Sequence, residues 1–244
     1  MTTIGKEFMI KTKSEFLEPS GEALGLPQPP LELACPPGAR LTALPAPSSL
    51  QIPAIDLRTA IEQRQTVRSY SPQPLSMDEL AFLLWCTQGV KRITSRPVTR
   101  RTVPSAGARH AFETYLLCNR VEGLAPGLYR YAAIEHALLE VDLGEEVNER
   151  LTLACGDQNQ VRTSAVTFTW AAVVERMYWR YSDRGYRYLH LDAGHACQNL
   201  YLAAEAIGCG ACAIAAYDDD AVNAVLGIDG EEMFAIYIAS LGKK

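Results

Sequence analysis

Two arginines four residues apart, Arg64 and Arg68, are the side chains of this chain best suited to binding chemistry, and Gln65 and Thr66 lie between them. Guanidinium groups bind phosphate oxygens through paired hydrogen bonds, and a short amide and a hydroxyl can complete such a site. We call residues 64–70 the arginine segment. Surface helices also carry arginines at this spacing, so a solvated helix face is the alternative interpretation.

A second segment, residues 104–107, has small side chains that allow backbone to approach a flat ligand. It combines a proline with Ser105, Ala106 and Gly107, after an arginine-rich stretch and before an apolar run. Ser105 can donate a hydrogen bond, and glycine leaves room beside the chain. We call it the serine segment. A plain turn before a strand is the alternative.

The third segment, residues 206–211, is the glycine segment and contains Gly208, Cys209 and Gly210. Glycine after a long helix is usually a C-terminal cap. A Gly-x-Gly between a helix and an inner strand also offers free amides to an anionic or aromatic ligand. The segment is not a dinucleotide fingerprint, because that motif opens a helix after a strand and has a third glycine.

The composition excludes several classes of protein. The chain has 244 residues, 48% of them hydrophobic, and a net charge of −5 without long charged runs, which argues against a nucleic-acid surface. Seven scattered cysteines indicate reduced thiols, and the C-x-x-C at 209–212 lacks the second pair of ligands that zinc would need. We find no signal-peptide pattern and no run of about 20 apolar residues. We therefore expect a soluble, cytoplasmic protein without a metal site.

The first 50 residues contain most of the prolines of the chain. Proline interrupts helices and central strands, so residues 1–50 are predicted to form an extended arm that packs on the body or on a partner subunit. A disordered leader is the alternative. Residues 51–244 are predicted to form a single domain.

Helical and strand patterns alternate through that domain. An apolar stripe predicts a helix that ends near Gln65, and Ser76 with Glu79 predicts a capping box at the start of the next helix, which ends before Gly89. Residues 91–105 are predicted to be a loop, and residues 175–188 a polar aromatic segment. Strands are predicted at 114–118, 127–131, 137–141, 165–171, 211–216 and 234–241, and further helices at 145–155, 188–207 and 218–226.

In their order and spacing, the three segments resemble those of the nitroreductase-like flavin oxidoreductases. Within that family the chain is most similar to the SagB-type dehydrogenases, named for a component of thiazole- and oxazole-forming peptide synthetases. Further sequence motifs shared with this branch lie at residues 26–30, 101–107, 127–131, 186–188 and 194–200. The resemblance implies an α+β fold, a three-layer α/β/α arrangement with a central, mostly antiparallel sheet, and a homodimer with FMN at its interface.

The resemblance also implies which residues contact FMN and which act in catalysis. The residues implied for the phosphate and the flavin edge are Arg64, Gln65, Thr66, Arg68 and Lys243. Those implied along the two sides of the isoalloxazine are Ser105, Ala106 and Gly107, and then either Gly208, Cys209 and Gly210 or the strand end Ala215 and Ala216. NADH or NADPH would bind transiently over the flavin as the electron donor.

One position departs from the family pattern. Azoline-oxidising members carry a Lys-Tyr pair shortly before the long helix, and the matching pair here is Arg180 and Tyr181. Tyr181 can exchange a proton, whereas arginine does not lose its proton at a useful pH. Both residues are candidate catalytic residues, with packing and surface charge as the alternative.

We therefore predict an FMN-dependent oxidoreductase that passes electrons from NAD(P)H to a small organic acceptor. Two other functions remain open at this point. One is a peptide dehydrogenase that converts azolines to azoles, and the other is a flavin-binding partner subunit with little turnover of its own.

Overall fold

A seven-stranded antiparallel sheet forms the centre of the structure, a computed structural model that describes residues 3–244. The strands are β1 (Leu41–Ala43), β4 (Phe112–Cys118), β5 (Gly127–Ala132), β6 (Ala137–Asp142), β7 (Val166–Val173), β8 (Cys209–Ile214) and β9 (Met233–Lys243), with β2 (Val90–Ile93) and β3 (Thr99–Arg101) forming a separate hairpin. Their order across the sheet is β1-β6-β5-β4-β7-β9-β8, and every neighbouring pair is antiparallel. β8 is therefore an edge strand.

Helices cover both faces of this sheet. They are α1 (Ile4–Lys11), α2 (Leu57–Gln63), α3 (Met77–Gln88), α4 (Val147–Ala154), α5 (Asn159–Arg162), α6 (Val174–Tyr181), α7 (Gly185–Ala206) and α8 (Asp219–Leu226). Successive residues of a strand point to opposite faces, so Leu116 packs in the core with α3 and α7, while Tyr115 and Leu117 pack in the core with α4 and α8. The predicted α+β architecture, an antiparallel sheet between helices, is confirmed. None of these helices, in the 3–244 range, has the length and apolarity to cross a bilayer.

The patterned elements lie close to their predicted bounds. Ser76 accepts a hydrogen bond from the Glu79 amide, and the Glu79 side chain accepts one from the Ser76 amide, which confirms the capping box at the start of α3. The long helix α7 is apolar on most sides because it lies between the sheet and its helical neighbours α3 and α6.

One prediction about an irregular segment is wrong. Residues 91–105 are not all loop, because the hairpin β2–β3 occupies much of them. Residues 175–188 include most of α6 and the first turn of α7. Hydrophobic periodicity did not predict α6, because part of its buried face is formed by a charged residue. Arg176 would be assigned to the surface from its type, but it is 3% exposed here.

The proline-rich residues run along the body of the protein. Prolines begin only at position 19, so α1 forms before them. The Trp179 indole donates to the Leu26 carbonyl at 2.9 Å, and the Arg176 Nε donates to the Pro30 carbonyl at 2.9 Å. The division into a separate arm and a single domain stays a prediction.

A buried ion cluster joins this segment to the sheet. Glu113 on β4 accepts hydrogen bonds from Arg176 Nη2 at 2.6 Å, Arg130 Nη1 at 3.3 Å and the Leu33 amide at 2.8 Å. The three ionised side chains are each less than 5% exposed. Buried charges of this kind stabilise a fold only when all members are present, because removal of one leaves the others unpaired in a medium of low dielectric constant.

Glu32, beside this cluster, makes the stability of the protein depend on pH. Its carboxylate accepts hydrogen bonds from the Ala133 amide at 2.6 Å and the Ile134 amide at 3.3 Å. Burial, and secondarily the Glu113 charge, raises the pKa of Glu32 to about 7. The folded state therefore holds this proton more tightly than the unfolded chain, whose glutamate titrates near pH ~4.3. The resulting stabilisation is complete below that value and is lost as pH rises through about 7.

We expect the unfolding free energy of the wild type to fall by about 1 kcal/mol between about pH 6.5 and about pH 8, relative to that of Glu32→Gln. Urea unfolding of both proteins at the two pH values measures this difference. The comparison starts near neutral pH because burial lowers the pKa of His110 to about 3, and that group reduces stability only in more acidic solution. Parallel pH profiles for the two proteins would contradict the assignment to Glu32.

Candidate functional site

The arginine segment lies along the edge strand β8. Thr66 forms a parallel bridge with Ala211, and the Val67 amide donates to the Ala211 carbonyl at 3.0 Å. Val67 occupies the space that a Cβ of Gly210 would need, so only glycine permits this approach. The structure thus brings together the arginine and glycine segments, which are over 130 residues apart in the chain.

Tyr201 on α7 holds the arginine segment in place. The Arg64 guanidinium carbon lies 5.2 Å from the centre of the Tyr201 ring, a cation–π distance. The Tyr201 hydroxyl accepts a hydrogen bond from the Ala213 amide at 2.8 Å and lies 3.4 Å from the Thr66 hydroxyl. Sequence reasoning missed Tyr201, whose only signal is a phenol in an otherwise small and apolar helix.

Arg64 and Arg68 keep their positive charges available. Arg64 is half-buried and Arg68 is exposed, and neither takes part in the ion pairs found among residues 3–244. Burial raises the pKa of the Cys212 thiol, and the Arg68 guanidinium beside it opposes that shift. Two cations without a carboxylate partner, next to the exposed Gln65 and Thr66, form a donor set suited to a phosphate.

Lys243 has other partners. Its ammonium donates to Glu79 on α3 and to the Ile207 carbonyl at 2.8 Å, at the end of α7. A phosphate at this position would have to compete with the Glu79 carboxylate. The role of Lys243 as a phosphate ligand stays a prediction.

The glycine segment serves mainly to end α7 and begin β8. Gly208 has a φ of +64°, the left-handed conformation of a helix C-cap. Cys209 and Gly210 are buried in β8, and burial raises the pKa of the Cys209 thiol to about 12, which leaves it unreactive. Of the two predicted sets of flavin contacts on this side, the geometry favours the strand end, since Ala215 and Ala216 are both exposed.

The serine segment is held by Asp192 near the other end of α7. Both carboxylate oxygens accept from the Ala106 amide at 3.3 Å. The Ser105 hydroxyl accepts from the His110 amide at 2.9 Å. Burial raises the pKa of Asp192, although the neighbouring Ser105 side chain and the Ala106 amide oppose the shift. Sequence reasoning missed Asp192, because no local pattern links it to a segment almost 90 residues earlier.

Arg180 and Tyr181 lie directly against the serine segment. Gly107 has a φ of +57°, and a Cβ at this position would lie 2.5 Å from the Tyr181 hydroxyl oxygen and 2.7 Å from Arg180 Cδ. The Tyr181 ring packs edge-on against Tyr188 at 4.8 Å between centroids. The structure therefore places the two candidate catalytic residues beside the backbone implied for the flavin ring.

We expect Gly107→Ala to lower the free energy of unfolding by about 2–3 kcal/mol, because it adds a steric clash to an unfavourable backbone angle. Thermal and urea unfolding measure the loss. Gly123→Ala is the matched control, since Gly123 has a φ of +76° and no atom within 4 Å of an added Cβ. Equal losses in the two variants would show that Tyr181 and Arg180 do not restrict this position.

The two halves of the site are separated within one chain. Their anchoring residues on α7, Asp192 and Tyr201, are nine residues apart, which is about 13 Å along a helix axis.

No group of three metal-ligating side chains converges in residues 3–244.

Comparison with known proteins gives a consistent result. A family model described as "Nitroreductase family" matches residues 61–243. The protein named "Putative nitroreductase MJ1384" of Methanocaldococcus jannaschii is 32% identical over 198 residues, which are 80% of this chain and 96% of that protein. The trifolitoxin-processing protein TfxB of Rhizobium leguminosarum bv. trifolii is 28% identical over 65% of this chain and 44% of its own length. A crystal structure from Anabaena variabilis, likewise described as that of a "putative nitroreductase", has a TM-score of 0.69 and 29% identity, over 85% of this chain and 42% of that one. The chain thus spans less than half the length of the last two proteins.

Proposed function

Because the chain belongs to the nitroreductase family, we propose that it is an FMN-dependent oxidoreductase that transfers electrons from NADH or NADPH to a small organic acceptor. The observation that carries this proposal is the pair of arginines beside the edge strand β8. Among the described residues, neither Arg64 nor Arg68 forms an ion pair with a carboxylate.

The residues present fit an FMN molecule. Arg64 and Arg68 would hold the phosphate through charge-assisted hydrogen bonds, with Gln65 and Thr66 completing the shell. The serine segment presents backbone and small side chains to a flat ring, and Gly107 is exposed there. FMN, when bound, supplies the hydride and electron chemistry, and the protein supplies orientation and electrostatics.

The protein groups have separable tasks in this proposal. The fixed charge of Arg68 or Arg64 favours the reduced, more negative state of a neighbouring cofactor and thus raises its potential. Asp192 positions the serine segment through the Ala106 amide. The Tyr181 hydroxyl lies at the surface of Gly107 and can donate or accept a proton, whereas Arg180 stays charged and can only bind.

We propose a homodimer because one protomer presents two half-sites. Leu191, His195, Gln198 and Leu202 form a stripe along the outer face of α7, and Leu191 is 60% exposed. Leu57 of α2, 66% exposed, borders a groove of about 350 Å³ that also reaches Leu202. A second copy on this face would cover the apolar groups and bring the arginine segment of one protomer towards the serine segment of the other.

The visible spectrum of protein purified without added flavin tests the cofactor. We expect absorption of bound oxidised flavin and its rapid loss on anaerobic mixing with NADH or NADPH. A colourless protein that takes up no added FMN would contradict the proposal. Bound flavin that stays oxidised with both donors would instead favour a subunit that needs a partner for turnover.

A second function, azoline dehydrogenation, is favoured by the similarity to TfxB, a toxin-processing protein. The Arg180–Tyr181 pair argues against it, since a lysine at the first position is the family pattern for this reaction. Conversion of an azoline-containing peptide, with loss of 2 Da measured by mass spectrometry, would distinguish it from reduction of a small acceptor.

A further inference from the structure

A cleft of about 540 Å³ lies beside the serine segment and is lined by cations. It is bounded by the hairpin β2–β3 and by α6, and Arg96, Arg100 and Arg180 contribute to its wall. Among the described residues of the wall, none is acidic. Its volume is in the range of small-molecule sites, and guanidinium groups recognise oxyanions by paired hydrogen bonds.

A carboxylate from the proline-rich segment reaches two of these arginines. Glu22 Oε1 accepts hydrogen bonds from Arg180 Nη1 at 2.9 Å and from Arg96 Nη2. The turn that carries Glu22 is held on α6, because its amide donates to the Trp179 carbonyl at 2.8 Å. The Glu22 carboxylate thus pairs with two of the three arginines in the wall of the cleft.

A fourth arginine adds to the excess of positive charge. Arg109 follows the serine segment, is 5% exposed and has its guanidinium carbon 5.2 Å from the centre of the Trp179 ring. Its Nη2 has no hydrogen-bond partner among the described residues. Burial, and then the neighbouring Arg180, lowers the pKa of Arg109. An additional anion would relieve this repulsion, which Glu22 alone does not balance.

We propose that this cleft binds the phosphate groups of the nicotinamide dinucleotide donor, and that Glu22 is an internal anion that occupies Arg96 and Arg180 until phosphate displaces it. The identity of the donor rests on the proposed function, whereas the anion site does not. The cleft shares Ser105 and Gly107 with the surface implied for the flavin ring. Phosphates held here would therefore anchor a donor whose reactive ring lies at the serine segment. The negative charge of Glu22, which competes for the same arginines, lowers the affinity of the cleft for phosphate.

Titration calorimetry with inorganic pyrophosphate, on the full-length protein as purified, tests the anion site. We expect Arg96→Gln and Arg100→Gln each to weaken binding about tenfold, the typical loss of one charge-assisted hydrogen bond. Arg100 is exposed, so its variant removes charge without removing packing. Glu22→Gln keeps the shape of the side chain and is expected to tighten binding about threefold to tenfold.

Two variants serve as matched controls. Arg40→Gln and Glu15→Gln remove the same charges from exposed positions outside the cleft, where their side chains are 80% and 64% exposed. We expect both to bind pyrophosphate as the wild type does. Wild-type affinity in both Arg96→Gln and Arg100→Gln, or weaker binding by Glu22→Gln, would overturn the anion site.

Reduction of bound flavin tests whether the anion belongs to the donor. The NADPH concentration for half-maximal reduction rate should rise about tenfold in Arg96→Gln and fall in Glu22→Gln. Unchanged values in both, with altered pyrophosphate binding, would overturn the dinucleotide assignment. If the protein proved to hold no flavin, the pyrophosphate titration would still decide the anion site, so that the failure of the two proposals can be told apart.

Discussion

Arg68→Ala should weaken FMN binding by about tenfold to a hundredfold while the protein remains folded. A hydrogen bond to a charged group contributes about 1.5–3 kcal/mol, and each 1.4 kcal/mol is about tenfold in affinity. Arg68 is exposed, so truncation removes the charge with little loss of packing. Quenching of flavin fluorescence on titration with the apoprotein measures the affinity, and circular dichroism reports the fold.

Arg58→Ala is the control for this change. Arg58 lies on α2, is 84% exposed and pairs with Glu62, so its loss alters the net charge equally without touching the arginine segment. Stoichiometric FMN retained by Arg68→Ala would contradict the assigned role. If Arg58→Ala lost as much FMN affinity as Arg68→Ala, the loss would be explained by the change in net charge and not by a direct contact of Arg68 with FMN.

Glu113→Ala should lower the free energy of unfolding by about 3–5 kcal/mol, the usual cost of breaking a buried ion pair from one side. It leaves Arg130 and Arg176 charged and buried, and it also removes the acceptor of the Leu33 amide. The midpoint of urea unfolding measures the loss. We also expect easier proteolysis near residue 33, because that amide joins the proline-rich segment to β4.

Two further variants make the test of Glu113 decisive. Glu62→Ala removes a carboxylate that is 60% exposed and should cost less than about 1 kcal/mol. Glu113→Gln keeps the acceptor oxygen and should lie between the other two, which keeps the comparison possible if Glu113→Ala does not fold. Equal stability of Glu113→Gln, Glu62→Ala and the wild type would show that the buried cluster does not hold the fold together.

The family and the main elements were predictable because they depend on local signals. Strand alternation around Leu116 and the capping box at Ser76 are patterns that short stretches of chain determine by themselves. The predicted resemblance to the nitroreductase-like family is confirmed by the family match over residues 61–243 and by relatives that include a nitroreductase and a toxin-processing protein. FMN, the dimer and the site residues remain proposals.

By itself, then, the sequence determined the α+β class and the approximate helices and strands, and it predicted three segments suited to a phosphorylated ring. Only the tertiary structure decided how those segments are held: Tyr201 and Asp192 reach them from α7, Lys243 pairs with Glu79, and Glu22 meets Arg96 and Arg180. The physical reason is that periodicity reports which face of an element is buried, whereas hydrogen bonds and ion pairs between distant residues depend on how the elements pack. No repeating pattern along the chain encodes these pairings.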